Sequence, residues 1–161
     1  PSGPIFCRLR LYKVEDYYSG GLMHSKKKGN IGQFGVALAF AKLGYSVFSE
    51  EGDISKIDLI VEKNNKIHRI QCKAVTPIDD KIIVSLKKSG PNYSFKYNEN
   101  MFDYFAVYDL EDCAVYLVSS SVLKNHNSSI ILRKAKSKNN QIKNIHLAED
   151  FEIANVLKKS A

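Results

Sequence analysis

The sequence predicts an α/β protein of α+β character, a mixed and mainly antiparallel sheet flanked by helices, and the order of its segments carries that prediction. An amphipathic helical stretch comes first, several short runs rich in Ile, Val and aromatic residues follow, and a second helical stretch closes the chain. Asn, Asp, Gly and Pro punctuate the runs as turn residues do. Such an order is not the steady alternation of strand and helix that builds a long parallel sheet. At 161 residues the chain has the length of one domain.

The elements follow in sequence. Residues 1–22, PSGPIFCRLRLYKVEDYYSGGL, lack the charged start, apolar middle and small-residue cleavage site of a secretory signal. They are expected to be a leader, added to the native chain or contributed by an upstream frame, or else a native arm. Ser19-Gly20-Gly21 is a flexible junction and Met23 has the character of a natural start, so the domain is placed at 23–161. From Ile31 to Leu43 the residues Ile31, Phe34, Leu38 and Ala41 recur at helical spacing, with Val36, Ala37 and Phe40 filling in and Gly44 closing the helix. Tyr45–Ser49 reads as a short strand and residues 50–53 as a turn.

Two alternating runs, KIDLIVEK (56–63) and KIHRIQCKA (66–74), flank Asn64-Asn65 and predict a hairpin. A second ribbon is expected from KIIVSLK (81–87) and YSFKY (93–97), and a third strand pair from FDYFAVYDL (102–110) and AVYLVS (114–119). One short strand, Ser129–Leu132, lies in a basic polar stretch, and an amphipathic helix covers about Ala148 to Lys159.

Composition limits the function classes. With 44% hydrophobic and 25% charged residues the chain has the make-up of a soluble globular domain. Apolar stretches such as AVYLV at 114–118 are far short of the roughly 20 residues that cross a bilayer, so no membrane partner is expected. Lys+Arg 24 against Asp+Glu 17 leaves +7, which points to a polyanionic partner. Cys7, Cys72 and Cys113 form neither a disulfide framework nor a zinc pattern, as expected in a reducing intracellular compartment. His24, His68, His126 and His146 show no paired ligand spacing, which argues against a zinc or histidine-based site.

Strand alternation singles out one constellation. Arg69, Gln71 and Lys73 share one face of their run, while Ile70, Cys72 and Ala74 share the other. On the partner run Leu59 and Val61 point to the core, which leaves Asp58 on the face of Gln71 and Lys73. A carboxylate, an amide oxygen and an ammonium side by side are the parts of a hard-metal phosphodiester site. The same three residue types on the solvent face of a hairpin are also ordinary surface groups. Cys72, turned away from them, reads as a small core residue.

The ordered series KGNIGQFGVALAFAKLGYSV, GDISKIDLIVEKNNKIHRIQCKAV and FDYFAVYDLEDCAVYLV resembles the PD-(D/E)XK nucleases. Within them it is most similar to the small group of cyanobacterial group I intron-encoded homing endonucleases. The likeness runs from about Lys28 to Val118, the implied catalytic core, with a basic segment and terminal helix over 119–161. It implies a restriction-endonuclease-like core that hydrolyses both strands of a long, near-palindromic DNA duplex with Mg²⁺, for which Mn²⁺ can substitute.

The family's Pro-Asp motif falls on Ile57-Asp58, so the proline is absent, and its (D/E)XK element falls on Gln71-Cys72-Lys73. By resemblance the metal is held by Asp58, the Gln71 side chain and the Cys72 backbone carbonyl, and Lys73 orients the water or stabilises the transition state. A further acid belongs to a KGxxGE pattern that reads here Lys28-Gly29-Asn30-Ile31-Gly32-Gln33, so Gln33 stands at the glutamate position. Asp58 is then the one sure carboxylate, and such a site should hold Mg²⁺ weakly. Glu62 lies roughly 13 Å along the strand from Asp58, at about 3.3 Å per residue, too far to share an ion; Glu50 and Glu51 are better placed. Gln33 is read either as natural or as a deliberate Glu→Gln exchange that weakens or inactivates cleavage, and the isosteric change within an intact motif favours the second.

Phosphate contacts are expected from two basic clusters. Between Cys113 and Ala148 there is no Asp or Glu, while Lys124, Arg133, Lys134, Lys136, Lys138 and Lys143 all lie there; Lys26, Lys27 and Lys28 directly precede the first helix. Read alone, either cluster is also an ordinary solvated surface. The 80–98 ribbon suits a major groove, with Ile82, Val84 and Leu86 inward beside some of Tyr93, Phe95 and Tyr97. Lys81, Ser85, Lys87, Ser94, Lys96 and Asn98 then face outward.

One site cuts one strand, so a homo-oligomer, dimer or tetramer, is expected on double-stranded DNA. Phe151, Ile153, Ala154 and Leu157, or segment 119–123, would form its interface or else belong to the core. The implied setting is the bacterial cytoplasm, on nucleoid DNA. Rival readings are a structure-selective Holliday-junction resolvase of the same fold, a non-catalytic DNA-binding module, and a restriction-like enzyme with a short target.

Overall fold

The computed structural model describes residues 24–50, 55–90, 92–126, 128–135 and 145–159. The expected leader, Glu51, Lys136, Lys138 and Lys143 lie outside them. The elements are α1 (Ser25–Lys42), β1 (Ser46–Ser49), β2 (Leu59–Lys63), β3 (Lys66–Val75), β4 (Lys81–Ser85), β5 (Lys87–Gly90), β6 (Tyr93–Lys96), β7 (Tyr104–Asp109), β8 (Val115–Ser119), β9 (Ser129–Arg133), β10 (His146–Leu147) and α2 (Ile153–Lys159). Together they make the mixed α+β architecture that the sequence predicts.

Helix α1 starts a turn and a half earlier than its apolar periodicity suggested. The His24 imidazole accepts a hydrogen bond from the Lys26 backbone N–H at 3.3 Å, so Lys26, Lys27 and Lys28 lie inside the first turn rather than before the helix. The buried row is Gly32, Val36 and Phe40, whereas Phe34 and Leu38 from the expected apolar stripe are 74% and 52% exposed. Two glycines explain the rotation. A Cβ at Gly32 would stand 2.7 Å from Ala74 Cβ, and one at Gly35 would stand 2.2 Å from the Tyr108 ring. The helix lays its thinnest row on β3 and β7, which turns Phe34 and Leu38 outward. At its other end Gly44 adopts φ +80°, and the Lys63 ammonium donates to the Leu43 carbonyl at 2.6 Å.

The central sheet has the order β1-β2-β3-β7-β8. Its pairs are antiparallel except for β3 with β7, which run parallel with Lys73 beside Val107 and Val75 beside Asp109. Asn64 (φ 54°) and Asn65 (φ 62°) both take the left-handed conformation that a two-residue hairpin of this kind requires.

The second ribbon is built differently from the expectation. β4 pairs with β9 in a three-stranded sheet β10-β9-β4, and β5 pairs with β6 as a separate two-stranded ribbon. The chain turns at Leu86, where the Ser85 hydroxyl donates to the Lys87 carbonyl at 2.8 Å. That bend ends β4 before it can pair with residues 93–97. Ile82, Val84 and Leu86 are buried as expected, and Ser85, Lys87, Ser94, Lys96 and Asn98 are exposed with Lys81 half-buried.

Two apolar clusters cover the two faces of the central sheet. Val36, Phe40, Leu59, Val61, Ile70 and Leu117 pack on the α1 side. On the other side Phe105, Val107, Tyr116 and Val118 meet Ile82, Val84, Ile130 and Leu132. The expected C-terminal helix is interrupted: a 3₁₀ turn over Ala148–Phe151 precedes a bridge from Glu152 to Tyr116, and α2 follows. Phe151 packs against one cluster and Ile153 and Leu157 against the other, and Ser120 and Leu123 are buried. Much of the apolar surface expected to join two copies is therefore used within the chain.

Candidate active site

Asp58 immediately precedes β2, and its backbone N–H donates to the Ile70 carbonyl at 2.8 Å. That bond extends the hairpin register by one residue and sets Asp58 beside Gln71. The Asp58 carboxylate accepts from the Cys72 backbone N–H at 2.6 Å and from the Gln71 side-chain amide. The same Gln71 amide donates to the Cys72 carbonyl at 3.3 Å. Two oxygens, one charged and one carbonyl, thus gather about a single donor. Turning the Gln71 amide exchanges that donor for a third oxygen.

Gln71 is 8% exposed, so this face of the hairpin is covered and is not the ordinary solvent face of the alternative reading. The Cys72 thiol is held protonated, first by burial and then by the Asp58 charge, both of which push its pKa well above the ordinary thiol value. It is packing, not a nucleophile.

Lys73 is turned toward an aromatic wall. Its ammonium donates to the Tyr97 hydroxyl at 3.1 Å and lies 4.6 Å from the centre of the Tyr97 ring and 5.9 Å from that of Phe105. Burial, together with the nearby charge of Lys88, lowers its pKa from 10.5 to about 8 against the opposing pull of Asp58. At neutral pH it is still mainly a cation, poorly hydrated and close to the carboxylate. Tyr97 holds its place through edge contacts with Phe95, Phe102 and Phe105.

Gln33 reaches the site from α1, but to the backbone: its amide donates to the Asp58 carbonyl at 3.3 Å. The close approach at Gly32 is what brings it there. Glu50 is turned away, accepting from the Ser55 backbone N–H and hydroxyl, and Glu62 accepts from the Asn65 N–H at the hairpin turn. Neither supplies a second carboxylate here. Among the described residues there is no group of three or more His, Cys, Asp or Glu that could hold a metal.

The basic residues divide. Lys134, expected to meet phosphate, is instead bound to carboxylates: Asp109 Oδ2 at 2.5 Å, Asp112 at 2.9 Å and Glu111 at 4.0 Å. Asp109 is fully buried, and its other oxygen accepts from the Glu111 and Asp112 N–H groups. Burial alone would lower the Lys134 pKa, but its hydrogen bonds to Asp109 and Asp112 outweigh that and raise it. Lys124 is paired with Glu99 at 3.1 Å. Lys87 stands directly opposite Lys96 in the β5–β6 ribbon, and Lys81 opposite Arg133 in β4–β9. Like charges set face to face are destabilising unless an anion comes between them.

Sequence reading missed Tyr97 as the partner of Lys73, and missed Lys56 and Lys88, which flank the same aromatic wall. The Phe95–Tyr97 alternation was a visible signal, but it reads as core packing until the hydroxyl is seen to have a charged neighbour. Arg69, on the same strand face, forms a two-pronged pair with Asp103 that locks β7 beside β3.

A hairpin presents Asp58, Gln71 and Lys73 on a mixed sheet, beside a helix that carries Lys28-Gly29 at the end of its first turn, and this arrangement is that of a class of nuclease. The PD-(D/E)XK endonuclease family model matches residues 23–154, and the chain belongs to that family. A solved structure of a bacterial homing endonuclease, I-Ssp6803I, shares the fold at a TM-score of 0.67 and 22% identity, over 84% of this chain and 95% of that one. No curated protein matches the chain significantly.

Proposed function

We propose that the chain is a site-specific homing endonuclease that hydrolyses both strands of a long, near-palindromic DNA duplex with Mg²⁺, weakened by glutamine at position 33. The observation that carries this reading is the meeting of Asp58, the Gln71 amide and the Cys72 carbonyl beside a poorly hydrated Lys73 ammonium. The Asp58 carboxylate, the Gln71 amide oxygen and the Cys72 carbonyl are the oxygen set that would hold Mg²⁺ or Mn²⁺, which suits hard cations. Such an ion supplies charge stabilisation and a water of lowered pKa.

The chain's own groups account for the rest. Lys73 places fixed positive charge where negative charge develops on the phosphoryl oxygens, and Tyr97 and Phe105 shield it from water. Lys26, Lys27 and Lys28 add positive charge to the positive end of the α1 dipole, which backbone phosphate would offset. The facing pairs Lys87–Lys96 and Lys81–Arg133 would meet phosphate or base edges in the same way, with Asn98 beside them. Because one site cuts one strand, a symmetric dimer or tetramer would act, on DNA in the bacterial cytoplasm.

Gln33→Glu is expected to restore or sharply raise Mg²⁺-dependent cleavage of a randomised duplex library. A reverted protein that cuts no duplex in a library containing its target would remove the main support for this reading. The single sure carboxylate favours one second reading, a DNA-binding module without catalysis. Crystals soaked in Mn²⁺ that show no ion beside Asp58 would favour it.

A further inference from the structure

Three lysines surround the aromatic wall beside Asp58, and the reaction above uses one. Lys73 Nζ is bonded to the Tyr97 hydroxyl. Lys56 Nζ lies 4.9 Å from the centre of the Phe95 ring, which touches the Tyr97 ring edge-on at 5.4 Å. Lys88 stands directly opposite Phe95 across the β5–β6 ladder, so its side chain leaves the ribbon on the Phe95 face. Lys88 is exposed and Lys56 half-buried. Among the described residues no carboxylate lies within ion-pairing distance of either.

Among the described residues the charge here is unbalanced. Three ammonium groups share the wall with the Asp58 carboxylate, whereas Lys134 elsewhere is surrounded by three carboxylates. A concentration of like charge raises the free energy of the unliganded protein, and an anion relieves it. Ammonium groups on flexible stems act as point charges toward phosphate oxygens and position a backbone without reading its bases. The two unused lysines come from different parts of the chain, Lys56 from the segment leading into Asp58 and Lys88 from the ribbon.

We infer that Lys56 and Lys88 form, with Lys73, a phosphate-docking site that grips the DNA strand on the Phe95–Tyr97 side of the reacting phosphodiester. The identity of the anion as duplex DNA rests on the function proposed above. Docking there fixes the ribbon to the segment carrying Asp58, and it needs no metal.

The test is metal-free binding of the full chain to a fluorescent duplex in EDTA across a salt series. Lys56→Gln and Lys88→Gln are each expected to make the slope of log K against log salt less negative by about 0.9, and the double variant by about 1.8. Lys66→Gln, at the distal hairpin turn, is expected to leave it unchanged. A double variant with an unaltered slope, or a Lys66 variant with an equal loss, overturns the inference. Circular dichroism checks folding, and the exposed Lys88 single variant carries the test if the double variant is unfolded. Cleavage by the Gln33→Glu protein is scored separately. Altered slopes without any cleavage keep the docking site and reject the nuclease reading; cleavage with unaltered slopes does the reverse.

Discussion

Two lysines lie near aspartates on the same face of the central sheet, and their surroundings treat them in opposite ways. Lys73 and Asp109 stand two rungs apart on the parallel β3–β7 ladder. Lys73 has one carboxylate nearby, a phenol as hydrogen-bond partner and aromatic rings about it, and its pKa falls to about 8. Lys134, which meets Asp109, has three carboxylates, and its pKa rises. A cation satisfied by its own chain has little to offer a ligand, whereas one left short of negative charge is placed to receive it. One is a structural ion cluster and the other leaves its cation room for an anion, although each is a lysine beside an aspartate.

Exchanging the two aspartates should give opposite phenotypes. In the Gln33→Glu protein, Asp58→Asn is expected to reduce cleavage on the order of a thousandfold or more, because one of the two carboxylates proposed to hold the metal is lost. Its unfolding midpoint should change little, since the amide oxygen can still accept from the Cys72 N–H. Asp109→Asn should leave the rate per folded molecule unchanged and cost about 1–3 kcal/mol in urea unfolding, because Lys134, at 17% side-chain exposure, loses its buried carboxylate and keeps only the exposed Asp112 and Glu111. Equal stability losses for the two variants would dissolve the distinction. Pairing Asp109→Leu with Lys134→Met should recover part of the loss, the sign that the poorly compensated charge, rather than a missing contact, caused it.

The glycines of the Lys28–Gln33 segment sharpen the contrast at the level of packing. Gly29 and Gly32 look alike in the sequence, yet a Cβ at Gly29 meets nothing within 4 Å while one at Gly32 meets Ala74 Cβ at 2.7 Å. Gly32→Ala is expected to cost about 1–3 kcal/mol and to lift Gln33 away from Asp58. Gly29→Ala should stabilise the helix by up to about 1 kcal/mol. Thermal unfolding of the two variants measures the difference, and a harmless Gly32→Ala would mean that close packing does not place Gln33.

What the sequence disclosed follows from which interactions are local. The β2–β3 hairpin, the Gly44 stop and the β7–β8 pair depend on neighbours in the chain, and alternation plus turn residues found them. The union of Asp58, Gln71 and Lys73 on one face was legible for the same reason. The partner of β4 was not, because β9 lies far along the chain and its apolar pattern fits several strands equally well. Burial of Gly32, Val36 and Phe40 instead of the Phe34–Leu38 stripe was also hidden, since a glycine row carries no apolar signal. The carboxylate partners of Lys134 were hidden because its own segment contains no acid, while Asp109, Glu111 and Asp112 arrive from the end of β7 and the turn that follows it.

The finest test of the comparison is the pH dependence of stability. The folded-state pKa of Lys73, about 8, lies below its ordinary 10.5, so between those values the unfolded chain binds a proton that the folded chain does not. Stability contributed by this residue therefore rises with pH across that window, by at most about 1.4 kcal/mol per pH unit, and is flat below it. Lys134 behaves inversely. Its folded pKa lies above 10.5, so its contribution is fully present throughout the same window and is lost as pH rises through the folded value. Lys73→Met should accordingly flatten the rise between pH 8 and 10.5, whereas Lys134→Met should lower the whole curve without changing its slope there. Taking each variant as a difference from the parent removes the tyrosine titrations common to both. Parallel curves for Lys73→Met and the parent would show that the aromatic wall leaves Lys73 an ordinary lysine, and the contrast would then rest on Lys134 alone.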